Sequence, residues 1–79
     1  MQTDSFHIFQ KQLGARMQGV RKARGLSQEA AGTMVGMDRV SIGYIEQGKR
    51  APKLSTLYAL AQAYEVSVGS FFDFEDAGE

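Results

Sequence analysis

The segment 26–48, Leu26-Ser-Gln-Glu-Ala-Ala-Gly-Thr-Met-Val-Gly-Met-Asp-Arg-Val-Ser-Ile-Gly-Tyr-Ile-Glu-Gln-Gly48, decides the reading of this chain. Two capping side chains, Ser27 and Asp38, each stand just before a run with apolar residues three and four apart. Each cap has an apolar residue before it and another four positions after it: Leu26 with Ala31, and Met37 with Ile42. That arrangement is a hydrophobic staple around an N-cap, which fixes where a helix starts and how the chain enters it. Gly36 ends the first run and Gly48 the second. The spacing predicts a helix over 28–35 burying Ala31, Met34 and Val35. A tight turn follows, then a helix over 39–47 burying Ile42 and Ile45. Two short helices joined by such a turn make a helix-turn-helix, whose second helix commonly enters the major groove of DNA.

Outward from this segment, helical periodicity continues. Phe6, Phe9, Leu13, Met17 and Val20 fall in one narrow stripe, predicting a helix over 5–24 with Asp4 as N-cap and Gly25 as stop. A fourth helix is expected over 55–64, burying Leu57, Leu60, Ala61 and Tyr64. A short fifth follows over 68–72, opened by a third staple, Val66-Ser67 with Phe71. No run alternates long enough to be a strand. The expected fold is all-α, a five-helix bundle forming one domain over 1–79, with its core over about 13–72, an extended first helix and a short acidic tail.

Composition narrows the chemistry. There is no cysteine, so neither a disulfide nor a thiolate zinc site can staple the fold, and the single histidine, His7, cannot build a metal cluster. No catalytic triad, glycine-rich phosphate loop or metal-ligand spacing occurs, so no enzyme, cofactor or metal is expected. No apolar run approaches the roughly 20 residues of a membrane span, and no charged-then-apolar leader opens the chain. A cytoplasmic protein without an evident small-molecule effector is the expectation. Net charge is zero, but unevenly spread. Residues 11–53 hold all nine basic side chains with three acids, whereas 54–79 hold five acids and no base. A basic body of this kind suits attraction to phosphate.

On a helical wheel, Ile42, Ile45 and Glu46 lie on the inner side of the third helix and Val40, Gly43, Tyr44 and Gln47 on the outer side, flanked by Arg39 and Ser41. The candidate base-reading set is Arg39, Val40, Ser41 and Tyr44. Arg39 can bond guanine O6 and N7 together, Val40 can pack on a thymine methyl, and Tyr44 and Ser41 offer hydroxyls. The candidate phosphate set is Gln28, in the first turn of the second helix, with Gln47, Lys49, Arg50 and Lys53. Arg21 and Glu46 are placed to pair across the first and third helices, since a half-buried carboxylate needs a partner. Phe71, Phe72 and Phe74 exceed one small core's needs and form a candidate dimer surface, with the N-terminal Phe6, Ile8 and Phe9 as a second.

With these residues in place, the chain resembles the lambda-repressor/Cro-like, XRE-type helix-turn-helix family. The resemblance is carried by LGARMQGVRKARGLSQEAA, VGMDRVSIGYIEQGKRAP and LSTLYALAQAYEVSVGSFF, over about 13–72. It implies a dimeric transcription regulator on a palindromic operator, as in phage repressors and restriction-modification controllers. It further implies a DNA-backbone contact for Gln28, base reading by Arg39, Val40 and Tyr44, an interhelical ion pair Arg21–Glu46, and closure of the fifth helix by Phe72. Ala31-Gly32 departs from the family's usual Leu-Ala, Gly43 replaces a side chain that often faces the groove, and Val40 replaces a polar reader. The competing reading is an interaction module or antitoxin in which DNA binding is secondary or lost.

Overall fold

Ser27 and Asp38 cap as their positions demand. Ser27 accepts a hydrogen bond from the Ala30 amide at 3.0 Å, and Asp38 accepts one from the Ser41 amide at 2.7 Å. They open α2 (Gln28–Val35) and α3 (Arg39–Glu46). The computed structural model describes residues 4–74. In it α1 (Asp4–Ala23) precedes this pair, and α4 (Leu54–Tyr64) and a 3-10 helix over Val68–Phe72 follow it. Gly25, Gly36 and Gly48 all adopt the left-handed conformation and end their helices as expected. The architecture is all-α, and there is no strand among the described residues.

The core is a single cluster. Leu13, Met17 and Val20 of α1 meet Ala31, Ile42 and Ile45, and α4 adds Leu57, Leu60, Ala61 and Tyr64. Phe71 closes it, fully buried and edge-on to Tyr64 with ring centroids 6.0 Å apart.

Several expectations need correction. The fifth helix is a 3-10 helix, and Ser67 makes no side-chain cap bond; its carbonyl instead accepts from both the amide and the hydroxyl of Ser70. Five residues are too few to propagate an α-helix against its nucleation cost, so the tighter turn serves. Asp4 is already helical and does not cap. Met34 is 55% exposed, because two turns of α2 direct Ala31 and Gly32 inward instead. Gly43 is buried, not outward. Phe6 is exposed, since the first turns of α1 overhang the core. Phe71, offered as a dimer contact, is a core residue without exposed surface, while Phe72 is the last residue of the 3-10 helix. Phe72 and Phe74 lie against Phe9 at 6.3 and 5.6 Å between centroids, extending the bundle beneath the long first helix. The acidic tail beyond residue 74 lies outside the described residues. No helix is long and apolar enough to cross a membrane among those residues.

One packing feature sets the distance between α1 and α3. A Cβ at Gly14 would press into the carbonyl oxygen of Ile45 and come within 2.6 Å of that of Glu46. Only glycine lets the two backbones approach this closely. Gly32 is equivalent beneath the turn, where a Cβ would overlap the Met37 carbonyl oxygen. Gly19, on the same helix as Gly14, faces open space. Gly14→Ala is therefore expected to lower the unfolding free energy by about 1–3 kcal/mol through overpacking. Gly19→Ala is expected to raise it by about 1 kcal/mol through helix propensity. Urea unfolding followed by circular dichroism separates the two, and equal effects of one sign would contradict the close approach.

Candidate nucleic-acid interface

Glu46 is on the inner side of α3 and is almost fully buried, as is Arg21 on α1. Arg21 grips the carboxylate with both arms of its guanidinium, Nε to Oε2 at 2.7 Å and Nη2 to Oε1 at 3.0 Å. Its remaining nitrogen, Nη1, donates to the Leu26 carbonyl at 2.6 Å, at the entry to α2. Gln18 and Gln28 donate to Glu46 Oε1 at 3.3 and 3.1 Å. The hydrogen bonds and charge of Glu46 hold the Arg21 guanidinium above its ordinary range. Tyr64 feels both charges, but burial is the main cause of its rise from the ordinary 10 to about 12. This cluster ties α1, the start of α2 and α3 together, and so fixes which side of α3 faces out.

The outer side then presents Arg39, Val40, Tyr44 and Gln47, all exposed, with Val40 at 54% and Tyr44 at 40%. Ser41 is half-buried at the edge of that face. Asp38 caps the helix in its ionised form, the Ser41 amide and hydroxyl pulling its carboxyl below the usual range. Beyond the face, Lys49, Arg50 and Lys53 are exposed. The loop that carries them is anchored by Gln10, whose side chain donates to the Gly48 carbonyl at 2.7 Å.

Two candidate contacts have partners within the chain. Gln28 was placed as a phosphate ligand, yet its side-chain nitrogen is given to Glu46, and its carboxamide lies over Gly43, with both terminal atoms 3.6 Å from where a Cβ would stand. Arg50 was placed in the loop as a phosphate ligand, yet it folds back onto α3. Its guanidinium carbon is 5.3 Å from the centre of the Tyr44 ring, and Nη1 donates to Ser41 Oγ at 3.3 Å. Lys49 Nζ is 5.9 Å from the same ring. Gln18, Gln10 and Gly14 carry no local signal of their roles, which come from the packing of α1 against α3 and the loop after it. Among the described residues no group of three or more His, Cys, Asp or Glu could hold a metal.

A glycine-turned helix pair with the second helix exposed along a polar and basic side is the architecture of a helix-turn-helix protein. Residues 17–71 match the helix-turn-helix family HTH_3, and the chain belongs to that XRE-type family. It is 39% identical over 59 residues to the HTH-type transcriptional regulator PuuR of Escherichia coli, an alignment covering 75% of this chain and 32% of PuuR. The chain thus spans about a third of that relative's length. Its fold superposes on the restriction-modification controller protein C.AhdI of Aeromonas hydrophila with a TM-score of 0.83 at 31% identity, covering 89% of this chain and 100% of that one. The P22 c2 repressor, whose structure is a complex with synthetic operator 9T, gives 0.72 at 30% identity over 80% of this chain and 96% of its own. These relatives are a transcriptional regulator, a controller protein and a repressor.

Breaking the buried pair leaves one charge unpaired in the interior, so Glu46→Ala should cost about 3–5 kcal/mol in urea unfolding. Tyr64 adds a pH dependence. Its folded state holds the proton more tightly than its unfolded state, so its contribution is complete below pH 10 and is lost as pH climbs toward 12. Melting temperature should fall across that window, and Tyr64→Phe should remove that part of the fall.

Proposed function

We infer that this chain binds double-stranded DNA sequence-specifically and regulates transcription, acting as a homodimer on a palindromic operator. The observation that carries the reading is the outer face of α3. An exposed Val40 and Tyr44 stand beside Arg39 on a helix whose orientation is fixed by the buried Arg21–Glu46 cluster. Exposed apolar and aromatic side chains beside an arginine suit the major groove, where the thymine methyl and its O4 acceptor alternate with guanine's paired acceptors. Lys49, Lys53 and the backbone at the start of α2 supply sequence-independent contacts to phosphate. The operator complex of the P22 repressor and the regulator PuuR support the same reading by similarity.

A palindromic site asks for two copies related by a twofold axis, with their reading helices about 34 Å apart. Phe72 and Ile8 keep exposed apolar surface that such an assembly would cover.

Selection from a random duplex library, followed by titration of the enriched sequence, tests this. If each of two copies neutralises about three phosphates, log K should fall with log salt at a slope of about −5. Arg39→Ala should cost about 1–3 kcal/mol and relax preference at one base pair, whereas Lys49→Ala should weaken all sequences alike. Sedimentation at micromolar concentration should show a dimer. A flat salt response with no enriched sequence would favour an interaction module instead.

A further inference from the structure

Arg50 is exposed, but its side chain lies along the protein surface instead of projecting outward as a loop cation reaching for phosphate would. It leaves the chain after α3, turns back, and lies across two side chains one helical turn apart on that helix, Ser41 and Tyr44. The contact with Ser41 Oγ is a hydrogen bond of 3.3 Å, and the contact with Tyr44 is a guanidinium 5.3 Å from the ring centre. Ser41 Oγ, expected to be an independent reader, therefore serves as acceptor for the arginine. Lys49 Nζ also stands over the Tyr44 ring, at 5.9 Å, so two consecutive cations act on one aromatic side chain. A planar guanidinium can hydrogen-bond and stack on a ring at once, which an ammonium cannot do with the same geometry.

We propose that Arg50 is a specificity-determining positioning residue: bridging Ser41 and Tyr44, it fixes the direction of the Tyr44 hydroxyl and so the base pair that Tyr44 reads. The proposal rests on the DNA-reading role argued above and deepens it. Tyr44 has two rotatable side-chain torsions and is 40% exposed, so without a neighbour its hydroxyl would sample several directions across the groove. Holding it in one direction before DNA arrives reduces the ordering cost of binding and makes a wrong base pair harder to accommodate. The opposite flank of α3 is held in a parallel way, since Gln28 is bonded to Glu46 and lies over Gly43. Arg50 differs in that it acts on a residue of the exposed face itself.

Charge and geometry separate in the test. Wild type, Arg50→Lys, Arg50→Met and Tyr44→Phe are each taken through selection from a random double-stranded library, and affinities are measured for every base at each half-site position. The Arg50 changes are also made in the Tyr44→Phe background. The expected result is that Arg50→Lys keeps the wild-type salt slope but loses about tenfold of discrimination at one base pair, as Arg50→Met does. In the Tyr44→Phe background neither change at Arg50 should alter discrimination further. In the free protein, nuclear Overhauser contacts between Arg50 Hδ and the Tyr44 ring should be present in wild type. If Arg50→Lys retains full discrimination, or Arg50→Met weakens all sequences alike and adds independently to Tyr44→Phe, Arg50 is a phosphate cation and the proposal is overturned. If the wild type enriches no sequence at all, the DNA-reading role itself fails and the proposal with it, an outcome that needs no variant to recognise.

Discussion

The bidentate pair between Arg21 and Glu46 is the constraint on which the rest of the molecule depends. Removing two charges from water costs several kcal/mol per ion, and only complete hydrogen bonding offsets it. Here the carboxylate receives both arms of the guanidinium and two carboxamides, while the third guanidinium nitrogen reaches the Leu26 carbonyl. An apolar contact between α1 and α3 would tolerate rotation of α3 about its axis, because apolar attraction has no direction. A set of directed bonds does not. Gly14 lies two helical turns before Arg21 on the same side of α1 and lets the backbones meet, so separation and rotation are fixed from two points.

From this follows what α3 can offer. With Glu46 turned in, Val40, Tyr44 and Gln47 are turned out. Gly43 falls between the two sides, and its missing side chain leaves a shallow place that Gln28 and Gln47 cover. A Cβ at this position would meet those carboxamides at ordinary contact distance, 3.6 to 3.8 Å, unlike the overlaps at Gly14 and Gly32.

Local signals in the sequence were enough for the helices of the motif and much of its outer face. Ser27 and Asp38 announce their helices because a cap acts within four residues, and the stops at Gly25, Gly36 and Gly48 are equally local. Arg39, Val40 and Tyr44 could be assigned to one side because 3.6-residue periodicity is strict within α3. The failures arise where a residue's surroundings come from a distant segment. Met34 has the right type for a core position, but two turns of α2 face inward through Ala31 and Gly32. Phe71, Phe72 and Phe74 looked alike as a cluster, yet one fills the bundle and two cover Phe9. The double engagement of Arg50 depends on the loop turning back on its own helix, which no spacing rule reports. Glu65, the C-cap of α4, holds a left-handed φ of 60° where glycine is usual, and its exposed carboxylate pairs with Arg24 at 2.6 Å, a partner 41 residues away.

The same contrast bears on the proposed recognition chemistry, which would draw on both sources. A reading helix specified by local periodicity alone would have its side chains free to choose among rotamers, and binding would have to order them one by one. In this molecule the long-range contacts fall on residues flanking the exposed face: Gln28 and Gly43 on one side, Arg50 and Ser41 on the other. Arg39 and Val40 stand exposed in the first turn. The N-terminal turn of a recognition helix is the part that enters a groove most deeply, where the walls of the nucleic acid themselves restrict a side chain. Under the proposed reading Tyr44, a turn further along, would be less confined by the groove, and the contacts of Lys49 and Arg50 with its ring would restrict it instead.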